Sequence, residues 1–231
     1  MGLAQLPLSF GLRDDATFAS FYAVENAEAK NCIMRMAEGN GEQFAYLYGS
    51  AGVGKTHLLH AACHVAYEYG QSAMYLPIAK YSTLSTQDLS DLASINLICL
   101  DDVDSISGLA NWEEALFHLY NRIRDSGSRL IVSADSVPQQ LKINLLDLKS
   151  RLAWGVTYHL QQLADEQKLQ ALQLRAKFRG INLTDAVSSF LLKHCQRDMS
   201  QLFTILDILD RSSIAQKRKI TIPFVKTVLG I

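Results

Sequence analysis

The chain has 231 residues, 48% hydrophobic and 19% charged, and its 22 lysines and arginines against 23 acids leave a net charge of −1. Such a composition excludes a disordered polyelectrolyte and gives enough length for one large domain or a core with a satellite. The missing basic excess argues against a protein that grips DNA mainly through its own phosphate contacts.

Residues 1–13 come first in chain order. Pro7 forbids a helix interior there, and Gln5, Leu6, Leu8 and Phe10 lie in an extended apolar stretch with no periodicity that would bury it on a core. Extended apolar peptides of this kind serve as docking segments when a partner supplies pockets for alternate side chains. No basic-then-apolar pattern marks a signal peptide, and no run nears about 18 apolar residues, so no membrane span is expected. Cysteines at 32, 63, 99 and 195, without C-x-x-C spacing, fit a reducing cytosol.

A helix is predicted over roughly 25–38, closed by Gly39-Asn40-Gly41. A buried strand, Phe44 to Tyr48, then runs into Gly49-Ser50-Ala51-Gly52-Val53-Gly54-Lys55-Thr56 and a helix over about 55–69. Strand, glycine loop and helix in that order form a phosphate-binding loop: backbone N–H groups turn inward, and the helix dipole adds its positive end. Lys55 would reach the β- and γ-phosphates, and the Thr56 hydroxyl would ligate Mg²⁺. His57, His60 and His64 fall on one face of the helix, and their expected role is to cap or line its packing, with a metal face as the alternative.

A second strand is expected at 72–76 and a loop with a short helix at 82–94. Leu97-Ile98-Cys99-Leu100-Asp101-Asp102 reads as a buried parallel strand ending in two carboxylates, at the sheet end where ligands bind. Asp101 would hold Mg²⁺ directly or through water, and Asp102 could polarise an attacking water. An amphipathic helix over 110–125 precedes the strand Arg129 to Asp135, whose exit offers Ser133 and Asp135 as γ-phosphate inspectors. Arg151 lies in a helical segment stopped by Gly155. It is either a surface cation or an arginine finger inserted into a neighbour's site. After a short strand at 156–160 the composition turns helical, with patterns at 165–179, 184–196 and 199–214 and a start at 222–225. The expected division is a tail over 1–13, an α/β nucleotide-binding domain over 14–162 and a helical domain over 163–231.

A parallel-sheet phosphate-loop core followed by a small all-helical lid resembles the AAA+ ATPases. Within them, Gly54 to Ala61, Leu100-Asp101-Asp102, the segment Trp112 to Asn121 and Ser133-Ala134-Asp135 are similar to the bacterial replication initiator DnaA. Gln5-Leu6-Pro7-Leu8-Ser9-Phe10 resembles the Gln-Leu-x-Leu-x-Phe peptide that binds the β sliding clamp, and Leu169 to Ala176 and Arg218 to Lys226 add to the resemblance to the DnaA-related regulators. The DnaA-related family implies ADP or ATP with Mg²⁺ as cofactors, held by residues 49–56 together with His57, Tyr22, Asp135 and Ser200. It implies DnaA and the clamp as partners, DNA contacted only indirectly, a possible homo-oligomer, and a cytoplasmic protein that reaches the nucleoid through the clamp. The implied function is a regulator of initiation: on the DNA-loaded clamp, Arg151 acts in trans on DnaA's ATP and prevents re-initiation. Its own ATP turnover is expected to be weak, because Ser200 stands where the initiator's lid carries an arginine, with Arg197 three residues earlier. A helicase loader similar to DnaC, or a stand-alone phosphate-loop ATPase, are the alternatives.

Overall fold

The computed structural model describes residues 11–83, 85–195 and 198–231. The expected docking residues Gln5, Leu6, Leu8 and Phe10, and the lid residue Arg197, lie outside the described residues. Strands β1 (Phe44–Tyr48), β2 (Ala73–Pro77), β3 (Leu97–Asp101), β4 (Arg129–Ala134) and β5 (Val156–His159) form one sheet in the order β2-β3-β4-β1-β5, every pair parallel. Parallel sheets are covered on both faces, which is why β1, β3 and β4 are buried almost end to end. The edge strand β5 instead alternates between half-buried and exposed residues. Pro77 lies on the opposite edge strand, where its missing N–H is tolerated.

The two-residue period of the strands sorts the core. Leu97, Cys99 and Ile131 pack with α1 (Ala27–Ala37) and α2 (Lys55–Glu68) on one face. Ile98, Leu100, Leu130 and Val132 meet the other face, where α3 (Thr86–Ser90), α4 (Ala110–Ser126) and α5 (Leu146–Leu152) lie. Helices α6 (Asp165–Phe178), α7 (Asp185–His194), α8 (Met199–Gln216) and α9 (Ile222–Leu229) enclose a separate core of Leu172, Leu191, Leu202, Leu206 and Phe224. No helix among the described residues is long and apolar enough to cross a membrane.

Two local features position the later site. Helix α1 begins at Ala27 and not at Glu25, because the Asn26 amide is taken by the chain leaving the sheet. Its Nδ2 donates to the Gln161 carbonyl at 3.1 Å, and its Oδ1 accepts from the Gln161 N–H at 2.8 Å. The buried Glu113 carboxylate accepts N–H bonds from Gly108 at 2.7 Å, Asn144 at 3.0 Å and Leu145 at 2.9 Å. It thereby fixes the start of α5, the helix that carries Arg151, from 32 residues away in sequence.

The turn from α5 into β5 depends on Gly155. Its φ is +73°, and a Cβ there would stand 2.1 Å from the Phe44 carbonyl oxygen of β1. Gly155→Ala is expected to cost at least about 2 kcal/mol, measured by urea denaturation, since a left-handed conformation and a backbone clash add. A loss within about 0.5 kcal/mol would contradict this account of the turn.

Candidate functional site

The loop between β1 and α2 closes around a lysine. Lys55 is only 6% exposed, and its ammonium donates to the Gly49 carbonyl at 2.5 Å and to Asp135 Oδ1 at 2.7 Å. The Thr56 hydroxyl donates to Asp101 Oδ2 at 2.7 Å. That oxygen also accepts from the Tyr75 hydroxyl at 2.8 Å, and the buried Ser133 hydroxyl donates to Asp101 Oδ1. Asp101 is thus a carboxylate held by three hydroxyls, one of them on the phosphate loop, which is the setting of a hard-cation ligand.

Asp102 leaves the strand in a left-handed conformation, φ 57° and ψ 53°, uncommon for a residue with a side chain. Its N–H is taken by Ser133 Oγ at 3.0 Å. Burial first, and then the charge of Asp101, push its carboxyl up to about 6, against the pull of Lys55.

These groups open onto a cavity of about 440 Å³. The core contributes Gly54, Lys55, Thr56, Asp102 and Asp135, and the helical domain contributes Arg175, Ser200 and Phe203. Asp104, in the 3₁₀ turn Val103–Ile106, also lines the cavity, and its Oδ1 is buried with no hydrogen-bond partner. The helical domain sits close over the loop: a Cβ on Gly52, φ +80°, would meet Asp198 Oδ2 at 2.4 Å, and Asp198 caps α8 through the Gln201 N–H at 3.0 Å. A buried cation held by carbonyls, a carboxylate tied to a loop threonine and an orphaned carboxylate oxygen fit a polyphosphate with a divalent cation. Lys55, Thr56 and the loop N–H groups would hold the phosphates, and Thr56 and Asp104 would face the cation; Asp101, expected as a cation ligand, is buried outside the cavity lining and reaches it through the Thr56 hydroxyl.

Of the two expected γ-phosphate inspectors, Asp135 lines the cavity. Ser133 is fully buried and spends its hydroxyl on Asp101 and the Asp102 N–H. The Ser50 hydroxyl stands off the cavity and accepts from Gln162 Nε2 at 2.7 Å. Tyr22, expected at the nucleotide, does not line the cavity. Its ring packs against the helical-domain core and its hydroxyl donates to Gln170 Oε1 of α6, while Phe21 takes the place beside the loop against the His57 ring at 5.4 Å. Arg151 stands outside the cavity, half-buried, with its guanidinium 3.9 Å over the Trp154 ring and 5.7 Å from that of Phe117. No described carboxylate lies within ion-pair reach of it.

One constellation escaped the sequence reading. Asp15 accepts from Arg175 at 2.5 Å and from Arg179, and Arg179 also donates to Asp207 of α8, so an ion-pair chain ties the amino-terminal segment to the helical domain. Burial alone would raise the Asp15 carboxyl; the Arg179 hydrogen bond and the charges of Arg175 and Arg13 overcome it and hold the group well below the usual range. The histidine stripe of α2 staples that same segment. His57 Nε2 meets the Thr17 carbonyl at 2.8 Å, His60 Nδ1 accepts the Arg13 N–H at 2.9 Å, and His64 Nε2 meets the Arg13 carbonyl at 3.1 Å. With these nitrogens spent on backbone, no group of three metal-ligating side chains appears among the described residues.

The fold and the site define a phosphate-loop nucleotide-binding core with a helical lid. The family model described as the bacterial DnaA ATPase domain matches residues 12–159, and one described as the Hda lid domain matches residues 165–229. The chain is similar to the solved structure of domain III of the Thermotoga maritima replication initiation protein DnaA, at 21% identity and a TM-score of 0.80 over 95% of this chain and 98% of that one. It also resembles AMPPCP-bound DnaA from Aquifex aeolicus, at 24% identity and a TM-score of 0.71 over 86% and 66%. The Thermotoga maritima RuvB Holliday junction branch migration motor shares the fold at 14% identity and a TM-score of 0.65 over 93% and 73%. The chain belongs to the bacterial DnaA ATPase-domain family of AAA+ proteins and is of the Hda type.

The staple carries a pH signature. Burial pulls both His57 and His60 down to about 4, below the ordinary 6.5, so the folded state refuses protons that the unfolded chain accepts. Stability present above about pH 6.5 is therefore lost as pH falls toward 4, with a slope near 1.4 kcal/mol per pH unit for each histidine. Asp102 works in the opposite direction between about 6 and 4, since its raised pKa favours the folded, protonated form. Two histidines against one aspartate leave a net acid loss. In denaturant titrations at pH 7.5, 6 and 5, His60→Asn should show a shallower acid limb than the wild type; an unchanged limb would contradict the staple.

Proposed function

We propose that this chain is a nucleotide-bound regulator of replication initiation that works on DnaA at the DNA-loaded β sliding clamp. The nucleotide is ADP or ATP with Mg²⁺, seated in the 440 Å³ cavity beneath the lid. Mg²⁺ would supply charge neutralisation for the phosphates; Lys55 would bind them, Thr56 would hold the cation with Asp101 orienting that threonine from behind, Asp135 would inspect the γ-phosphate, and Asp102 could polarise an attacking water. Own turnover is weak, because Ser200 puts a hydroxyl at the lid position where a cation would stabilise developing charge.

The observation that carries the regulatory reading is Arg151. Its guanidinium is away from its own cavity, with its carbon 3.9 Å from the centre of the Trp154 ring, and has no carboxylate partner among the described residues. A guanidinium paired with a ring instead of a carboxylate keeps donors for an incoming anion. In the proposed assembly that edge enters DnaA's nucleotide site and offsets charge on the transferring phosphoryl group. The tail residues Gln5, Leu6, Leu8 and Phe10 dock on the clamp, Gln5 through its amide and Leu8 and Phe10 in an apolar cleft. DNA is met only through the clamp and DnaA, which brings a cytoplasmic protein to the nucleoid. A homo-oligomer belongs to the same proposal.

The test follows DnaA-bound ATP with clamp loaded on DNA. Arg151→Ala should lose DnaA stimulation by on the order of 10³-fold while binding ADP as the wild type does; equal stimulation removes the finger assignment. Replacing Gln5 and Phe10 by Ala should abolish retention on immobilised clamp, and unchanged retention would make the tail incidental.

A further inference from the structure

We infer that Arg175, from the first lid helix, is the residue through which the lid reads the nucleoside part of the bound nucleotide; the inference rests on the nucleotide reading of the cavity. Arg175 is 2% exposed and lines that cavity beside His57 and Phe203. One terminal nitrogen donates to Asp15 at 2.5 Å, and the other faces His57 Nδ1 at 3.4 Å. The guanidinium lies 4.3 Å over the Phe203 ring. Its Nε is buried and has no hydrogen-bond partner. A buried N–H without an acceptor is costly, and the cavity that Arg175 lines is where a ligand would bring the acceptor.

The seat of the phosphates decides which part of the nucleotide that is. Asp15 is the carboxylate paired with Arg175, shared with Arg13 and Arg179, and a phosphate placed against Nε would approach it. Phosphates have their own seat at Lys55 and the loop N–H groups. The remaining partner for Nε is an uncharged acceptor, a ribose oxygen or a base nitrogen or carbonyl. Among the described residues, the lid cation that lines the cavity is Arg175 of α6, while on α8 Ser200 stands one turn before Phe203. A lid that grips the nucleoside closes over a diphosphate and a triphosphate alike, so its position is set by occupancy more than by hydrolysis.

Isothermal titration of the full chain with Mg²⁺–ADP and with Mg²⁺–pyrophosphate tests this. Arg175→Gln should weaken ADP by about 10- to 100-fold and leave pyrophosphate within about threefold. Arg175→Lys keeps the charge and the Asp15 pair but lacks the Nε–H, so it should also bind ADP weakly while melting near the wild-type temperature. Arg179→Gln loosens the same lid tie from outside the cavity and should keep wild-type ADP affinity. An equal loss of pyrophosphate in Arg175→Gln, wild-type ADP binding by either Arg175 variant, or the same ADP loss in Arg179→Gln would each overturn the assignment. A wild-type chain that binds neither ADP nor ATP would remove the nucleotide reading itself, and the assignment with it.

Discussion

An ammonium group taken out of water without a dedicated counter-ion is the constraint around which the core is arranged. Lys55 is buried, its nearest partner is a backbone carbonyl, and its one carboxylate, Asp135, has a largely exposed side chain. Desolvated charge of this kind is costly unless a strong partner arrives. The β1 exit and the start of α2 place the lysine there, and the neighbouring hydroxyl of Thr56 locks the loop to Asp101 at the end of β3. Polyphosphate would complement this arrangement by bringing negative charge to the ammonium, and Thr56, Asp102 and Asp104 of the cavity wall would face its divalent cation.

Closure over that site depends on a second set of charges. Asp15, with Arg175, Arg179 and Asp207, joins the amino-terminal segment, α6 and α8 in one partly buried network. Buried ion pairs of this sort add little net stability over apolar packing, but removing one member is expensive. They specify a geometry, here the height of the lid above the phosphate loop. The histidines of α2 hold the other end of the same segment through backbone atoms of Arg13 and Thr17. Residues 11–17 thus link the phosphate-loop helix to the lid, and the segment expected to dock on the clamp lies immediately before them in the chain.

What could be read from sequence was local. The glycine loop after Phe44–Tyr48, the apolar run ending in Asp101-Asp102 and the helical periodicity beyond residue 164 each depend on residues close in the chain, and each element formed where its pattern lay. Long-range pairing was invisible. Arg175 reaches Asp15 across 160 residues, and Glu113 reaches Leu145 across 32, with no periodicity to announce either. Ser133 and Asp135 looked equivalent at the exit of β4, and only the third dimension turned one inward to Asp101 and the other toward the cavity. The neighbours Phe21 and Tyr22 face opposite ways, Phe21 on the loop and Tyr22 on the lid, and nothing local separates them.

The central claim is that a nucleotide is the missing partner of this buried cation and of the lid that covers it. The most direct measurement is thermal unfolding of the full chain across a titration of Mg²⁺–ADP. A ligand at about 100 times its Kd adds about 2.7 kcal/mol, which for a chain of this size raises Tm by roughly 5–10 °C and continues to rise with the logarithm of concentration. A melting temperature that stays flat up to millimolar Mg²⁺–ADP and Mg²⁺–ATP would contradict the account.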